Sequence, residues 1–366
     1  AKGMYVILLP AWGSRVAGDW GNGKATSDII FNSTSSYKYG CWIGQRFRGK
    51  KNIVWMIGGD RSAVYGNRDY RSVFRAMAEG IADGVNGVNQ QDGKADYSTT
   101  LMSYHPRKSM PNSSEWFHKD AWLDFNSIQD QSRDQIAATE KDFGLEPRKP
   151  TWLFEGRYEY AVKSGIYKDW QMRFQSYHTV FAGGFGITYG SMNIYHFGNK
   201  AGSQDEPVAS GKISKWEKAL DEAGAMDMQH LFSLMTLMSN DQFLDRIPGQ
   251  SLIVGDEGTM EGGEGFKSSR LQATRGGKGD YDMIYSANGR NISLKMDRLA
   301  GPLMNAFWFN PRNGKWRIKD REFANRSPFV KNIPSGPAAP IREFDPPGST
   351  GDGNDWVLVL NMFRVH

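Results

Sequence analysis

The sequence predicts an α/β fold, a (β/α) barrel of the TIM type, followed by an antiparallel β-sandwich. Three observations lead there. Short apolar runs alternate with helical patterns over the first two-thirds of the chain. The runs end repeatedly in polar or aromatic side chains. Near Gly262 the texture then changes to short strands punctuated by turns. The expected division is a barrel domain over residues 1–255 and a sandwich domain over 262–366.

MYVILLP (4–10), NIVWMIG (52–58), TTLMSYHP (99–106), TWLFEG (151–156) and GITYG (186–190) read as buried strands. RDYRSVFRAMAEGIADG (68–84) and DQIAATEKDFG (134–144) read as helices between them, each ending at glycine. Strands separated by helices imply βαβ units and a parallel sheet. Apolarity that is continuous along each run, not alternating, implies that both faces are covered. A doubly wound open sheet would satisfy these facts too. The strand ends decide for the barrel: Trp12, Asp60, Tyr104, His105, Glu155 and Tyr189 each follow an apolar run, and a barrel gathers such ends on one face. No glycine-rich phosphate loop opens a helix, which disfavours the dinucleotide-binding sheet. The opening AKGMYVILLPAWG reads as a helix tail, Ala1 to Gly3, entering a buried strand, so the chain is expected to start within a larger fold.

SKWEKALDEAGAMDMQHLFSLMTLMSN (214–240) carries Trp216, Leu220, Ala223, Leu231, Leu234 and Met238 at helical spacing, with Gly224 expected to split it into two helices. Its methionine-rich stripe reads as core. Beyond it, YDMIY (281–285), ISLKM (292–296), NAFWFNP (305–311) and WVLVLNM (356–362) read as strands, with turn signals at 276–277, 288–289, 313–314 and 345–348. Such spacing predicts the sandwich.

Over 366 residues, 39% hydrophobic and 23% charged content belongs to a globular protein. No apolar run approaches the roughly 20 residues of a membrane helix. The net charge of +5 comes from scattered lysines and arginines without a basic block, so nucleic acid is not an expected partner. Cys41 is the one cysteine, which excludes an internal disulfide and argues against a thiolate zinc site. HExxH, paired cysteines and carboxylate triplets are missing, so neither a metal nor an organic cofactor is expected, and without GxSxG the serine elbow of α/β-hydrolases is ruled out. Twelve Trp, fifteen Tyr and twenty Phe make 13% of the chain, a supply of flat faces for stacking on sugars.

In NIVWMIGGDR (52–61) five consecutive apolar residues lead to Gly58, Gly59 and then Asp60. Glycines at a strand end permit close approach of ligand or backbone. A carboxyl at the rim with apolar walls behind it has the environment of a general acid. The alternative is a turn in which Asp60 caps the next helix. Glu155 in TWLFEGRYE has the same placement, and two carboxylates at the ends of parallel strands can flank one glycosidic bond. The alternative for Glu155 is a buried ion pair with Arg157 or Arg173. Asp124 in WLDFN reads as a group that orients a catalytic or sugar-binding residue. His105 reads as a sugar-hydroxyl contact or a support behind the carboxylates.

Taken together, LLPAWG, NIVWMIGGDR, SYHP with SSEWFHKDAWLDFN, TWLFEGRYE and FAGGFGITYG resemble the apiosidase-like glycoside hydrolases. SLIVGDEG, NAFWFNPRNGKW, REFDPPG and GNDWVLVL resemble the β-sandwich that accompanies them, known as a collagen-binding domain. The resemblance covers nearly the whole chain. It implies a (β/α)8 barrel hydrolase that removes apiose from the pectin rhamnogalacturonan II, with Asp60 as acid/base and Glu155 as nucleophile or base. It also implies a pocket lined by Trp12, His105, Trp116, Asp124, Asn126, Tyr158 and Tyr189, and Arg61 and Tyr104, at the same strand ends, are expected to join them as substrate contacts. The expected substrate is an oligo- or polysaccharide of plant or algal cell walls, hydrolysed with retention, outside the cell or in the periplasm. Three departures stand out. The family's first barrel strands precede LLPAWG and are missing here, so a further segment or chain is expected to supply them. GVNGVNQQDGKADYS (84–98) reads as an insertion at the site rim, and SIQDQSRDQ (127–135) replaces a Gln-Ser-Gly-His run. The rival readings are a non-catalytic carbohydrate-binding protein on a glycosidase fold and a matrix adhesion protein acting through the sandwich.

Overall fold

The computed structural model describes residues 3–18, 28–108, 112–130, 135–161, 166–195, 216–260 and 268–361. Ala1 and Lys2 of the expected helix tail, residues 131–134 of SIQDQSRDQ, residues 214–215, the expected domain start at 262 and Met362 lie outside the described residues. Two compact units are present: Ala1–Asp130 with Lys141–Phe154, and Gln131–Glu140 with Glu155–His366.

The elements up to the first unit's last strand are, in chain order, β1 (Val6–Leu8), α1 (Ser33–Arg46), β2 (Ile53–Gly58), α2 (Arg71–Asn86), β3 (Met102–His105), α3 (Ser114–Phe117), β4 (Asn126–Gln129), α4 (Gln135–Phe143) and β5 (Thr151–Glu155). β1, β2 and β3 are parallel, with Leu8 beside Trp55 and Gly58 beside His105. β4 neighbours β5. β2 is apolar on both sides for a visible reason, whereas β1, expected to be buried, leaves Val6 50% exposed. Trp55, Ile57, Met102 and Tyr104 point to one face and pack with Ile43 of α1 and Phe74, Met77 and Ile81 of α2. Val54 and Met56 point to the other and meet Ile7, Leu9, Phe125, Trp152 and Phe154. Period-two alternation thus survives as two apolar faces, not as apolar against polar.

α1 begins on a capping box in which the Asn32 side chain accepts from the Ser35 N–H and the Ser35 hydroxyl accepts from the Asn32 N–H, both at 3.0 Å. α2 runs past Gly84, where the sequence reading ended it, and stops at Gly87 with φ of 76°. Gly84 serves packing instead of capping. A Cβ there would lie 2.2 Å from the Cys41 carbonyl oxygen, and one on Gly80 2.2 Å from that of Tyr37, so α1 and α2 touch backbone to backbone. Gly84→Ala should therefore cost about 2 kcal/mol net, the overpacking outweighing the gain in helix propensity. A thermal melt that shows an unchanged or raised midpoint would contradict this.

Residues 87–101 connect the end of α2 to the start of β3. The loop is tied down where the Asn86 Nδ2 donates to the Asp96 carbonyl and the Gly93 N–H to Glu79. The GVNGVNQQDGKADYS stretch therefore sits at the amino ends of the strands, opposite to Asp60, which corrects its expected place at the site rim. Chain direction is the reason: in a parallel sheet, loops after helices return to strand starts.

The second unit adds β6 (Tyr158–Glu159), α5 (Asp169–Phe181), β7 (Gly186–Ile187), β8 (Gly190–Ser191), α6 (Met192–Tyr195), α7 (Trp216–Ala219), α8 (Ala223–Met235) and α9 (Asn240–Leu244). There follow β9 (Arg246–Pro248), β10 (Leu271–Gly276), β11 (Tyr281–Ser286), β12 (Ile292–Leu294), β13 (Leu303–Asn310), β14 (Lys315–Ile318), β15 (Arg321–Phe323), β16 (Val330–Pro334), β17 (Arg342–Phe344) and β18 (Trp356–Asn361). The helix break expected at Gly224 falls at 220–222 instead, and Gly224 lies in the first turn of α8 because only glycine fits against the Glu159 carboxylate there.

The late strands form an antiparallel eight-stranded sheet in the order β9-β10-β11-β18-β13-β14-β15, with β16 also on β13. One face, through Tyr281, Met283, Tyr285, Phe307, Phe309, Val357 and Val359, packs on Phe174, Tyr177 and Phe181 of α5 and Leu231, Leu234 and Met235 of α8. The other, through Ile284, Ala306, Trp308, Leu358 and Leu360, is covered by Ile292, Leu294 and Phe344 of the β12-β17 ribbon. The sheet-rich domain foreseen in the sequence is present. Its second layer is a two-stranded ribbon on one side and helices on the other.

Candidate active site

At the end of β2 the chain is pinched. A Cβ on Gly58 would lie 2.7 Å from both the His105 carbonyl oxygen and the Tyr104 ring. One on Gly59 would lie 2.8 Å from the Gly13 nitrogen and 3.0 Å from the Trp12 ring. Both glycines have positive φ, 93° and 118°, and Asp60 follows at φ of 56°, a left-handed conformation that Asp tolerates better than most residues. With the ladder ended, side chains take over its backbone groups. The Asp60 N–H donates to Nδ1 of His105 at 3.1 Å, and the Asp60 carbonyl accepts from Nη1 of Arg61 at 2.9 Å. The Asp60 residue itself is half-buried.

His105 and Tyr104 leave β3 on opposite sides. His105 packs between Trp12, whose ring centroid is 5.8 Å away, and Phe154, at 4.8 Å. Trp12 remains 46% exposed, a flat apolar face beside the Asp60 turn. Tyr104 points toward the helices, where Phe74, Trp116 and Phe117 surround its ring. It is fully buried, and burial holds its hydroxyl protonated well above the ordinary tyrosine range.

Several expected pocket residues are elsewhere. Arg61 is 3% exposed, with Nε on the Ala17 carbonyl at 3.2 Å, and Tyr104 gives its hydroxyl to the Arg61 carbonyl at 2.8 Å. Burial removes both from the role of substrate contact. Trp116 lies half-buried in the helix layer against Tyr104. Asp124 precedes β4 and accepts from the Met102 N–H at 2.6 Å, at the start of β3. Burial raises its carboxyl above the ordinary value, against the pull of that N–H and of Lys149. Asn126, fully buried, is the first residue of β4 and meets Nδ1 of His118 at 3.3 Å. Asp124 and Asn126 thus brace strand starts, at the opposite end from Asp60. That corrects their expected place in the pocket, because WLDFN leads into β4 instead of leaving it.

In the second unit, Glu155 opens the segment that continues through β6. The Tyr158 hydroxyl donates to Glu155 Oε1 at 3.1 Å, and the Tyr158 ring lies over Gly190, where a Cβ would be 2.7 Å from it. Tyr195 meets the same ring edge-on at 5.8 Å. Arg173, one alternative partner weighed for Glu155, is held by Asp169, Asp227 and Asp355.

Tyr189 gives its hydroxyl to two carboxylates, Glu159 at 2.6 Å and Glu222 at 3.2 Å. Gly224 N–H also donates to Glu159 at 3.2 Å, and Asn193 Nδ2 to Glu222 at 2.6 Å. Burial pushes Glu159 up to about 7, helped by the charges of Glu222 and Asp169 and opposed by the Tyr189 and Gly224 hydrogen bonds. Sequence reading missed Glu159, Asn193 and Glu222. The signals available were slight: a second acid four residues after Glu155, and an acid at the cap position before an apolar helix. Among the described residues no group of three or more His, Cys, Asp or Glu could hold a metal ion, and no helix is long and apolar enough to cross a membrane.

Two solved structures similar to the chain are described as glycoside hydrolases. The chain aligns over 98% of its length with 70% of a glycoside hydrolase family 5 protein from Bacteroides vulgatus ATCC 8482, at 26% identity and a TM-score of 0.77. It aligns over 98% of its length with 74% of a second protein described as a glycoside hydrolase, at 26% identity and a TM-score of 0.74. The family match and these two structures define a glycoside hydrolase with a barrel-type catalytic part. Within that class the chain belongs to the apiosidase-like family, whose catalytic domain matches residues 1–241. Residues 247–361 match a domain described as "Putative collagen-binding domain of a collagenase". No curated protein matches the chain.

Proposed function

We propose that this glycoside hydrolase acts on an apiose-bearing cell-wall polysaccharide of the pectin type, by a two-carboxylate mechanism with retention. Asp60 is the general acid/base. It protonates the leaving oxygen, and Glu155 attacks the anomeric carbon; Asp60 then deprotonates the water that releases the sugar. The observation that carries this reading is the Asp60 turn. Two glycines at positive φ and Asp60 in left-handed backbone place a half-buried acidic residue at a strand end, beside a half-exposed tryptophan face suited to a sugar ring. Glu155 is supported by its place at the end of β5 and by the Tyr158 hydroxyl, which donates to its carboxylate at 3.1 Å and fixes its orientation. Tyr158 and Trp12 are the aromatic contacts we assign to substrate. A polymeric wall substrate places the work outside the cell or in the periplasm. Asp60→Asn and Glu155→Gln should each abolish release of sugar from rhamnogalacturonan II oligosaccharides while binding, measured by calorimetry, persists. Turnover that survives either change would remove that residue from the mechanism.

A further inference from the structure

The side chains around Asp60 do more than fill space, and the inference drawn from them rests on the reading of Asp60 as general acid. Its backbone lies in a conformation that the sheet ladder does not hold. The two peptide groups that flank Asp60 are instead gripped by side chains, one from His105 on the neighbouring strand and one from the adjacent Arg61. His105 Nδ1 accepts the N–H at 3.1 Å, and Arg61 Nη1 donates to the C=O at 2.9 Å. Arg61 is itself anchored twice, by Nε on the Ala17 carbonyl at 3.2 Å and by the Tyr104 hydroxyl on its own carbonyl at 2.8 Å. On the other side the Gly13 N–H donates to the Gly59 carbonyl at 3.1 Å.

We propose that Arg61, with Tyr104 and His105, is a positioning device for the catalytic acid. It locks the left-handed backbone of Asp60 and so aims the carboxyl at the leaving-group oxygen, without touching substrate. A planar guanidinium suits the task because its fork reaches two carbonyls at once and stays charged when buried. A lysine ammonium, a single point of charge on a flexible stem, cannot reproduce that spacing. The imidazole has a matching constraint. His105 Nδ1 also lies 2.9 Å from the Pro106 carbonyl, and the two contacts exclude each other, since an N–H partner needs the lone pair and a carbonyl partner needs a proton. Holding Asp60 requires the neutral ring protonated on Nε2.

The test compares leaving groups. A general acid matters for a poor leaving group and hardly at all for a good one, whereas a lost substrate contact penalises both alike. With methyl apioside, Arg61→Met should lower kcat/KM by about 100-fold, the scale expected when a catalytic group is displaced by an ångström. With 2,4-dinitrophenyl apioside the loss should stay within about threefold. Arg61→Lys should recover part of the methyl apioside activity, and Tyr104→Phe should show the same selectivity to a smaller degree. Equal losses on both substrates would overturn the proposal, as would unchanged activity on methyl apioside. If Arg61→Met does not fold, Tyr104→Phe decides by the same criterion. Asp60→Asn serves as the reference. If it lacks the leaving-group selectivity, the acid assignment itself fails; if it shows that selectivity and the Arg61 and Tyr104 variants do not, only the positioning claim falls.

Discussion

Replacing Arg173 with methionine is expected to destabilise the second unit by about 3–5 kcal/mol at neutral pH, because it strands buried carboxylates without a counter-charge. The side chain, 2% exposed, grips Asp355 with two bonds of 2.9 and 3.0 Å and meets Asp169 at 2.6 Å and Asp227 at 2.5 Å. Those contacts tie α5 and α8 to the residue that leads into β18, the central strand of the large sheet. Burial opposes the charge on Arg173, yet the three acids together hold it well above the ordinary arginine value. One cation among three anions leaves an excess of negative charge. Accordingly burial, with Asp169 and Asp355 adding to it, lifts Asp227 to about 6 despite the guanidinium. Without Arg173 the stranded acids gain stability only by taking protons, so the deficit should shrink as pH falls toward 4. Urea unfolding at pH 7.5 and pH 4.5 measures both statements. A deficit below 1 kcal/mol at pH 7.5, or one that grows in acid, would refute this account.

A second large effect should appear as pH dependence. The Tyr189 hydroxyl has one proton to give and two buried carboxylates beside it, and the charge of Glu222 adds to the burial that favours the protonated form of Glu159. Glu159 stands at about 7 in the fold against about 4.3 in an unfolded chain. A raised carboxyl contributes stability that is fully present below the unfolded value and is lost as pH climbs through the folded one. Between pH 4.5 and pH 8 this group should therefore cost the fold roughly 3 kcal/mol. Glu159→Gln keeps an oxygen for Tyr189 and the Gly224 N–H and carries no charge to repel Glu222. It should be more stable than the parent at pH 8, by up to about 2 kcal/mol, and no more stable at pH 4.5. Asp142, Asp227 and Asp282 are also raised by burial, which is why the difference between variant and parent, not the parent's profile alone, isolates Glu159. Parallel profiles for the two proteins would exclude a role for this pair.

Much of the fold was legible before any coordinate. The apolar runs at 52–58 and 151–156 became β2 and β5, and the NG turn at 313–314 joined β13 to β14. The Gly-Gly-Asp turn announced itself because only a backbone pressed against neighbours needs two glycines before a carboxylate. The side on which each residue would emerge was less visible. Tyr104 and His105 are adjacent in SYHP and were both assigned to the pocket, but successive strand residues face opposite ways, so one could be expected to leave it. Arg61 carries a charge and was read as a substrate contact. Its burial on backbone carbonyls depends on Ala17 and Tyr104, more than forty residues away on either side.

What the sequence determined by itself was local: where the chain would extend, where it would coil, which motifs place it in the apiosidase-like family, and that an acid would stand where β2 ends. Tertiary structure alone decided which polar groups are consumed inside, as with Arg173 and its three acids or Tyr189 between Glu159 and Glu222. Element type follows from neighbours in sequence, through spacing and backbone preference. The fate of a buried charge follows from partners that only folding brings within three ångströms, and a pattern of residues along a line holds no record of that distance.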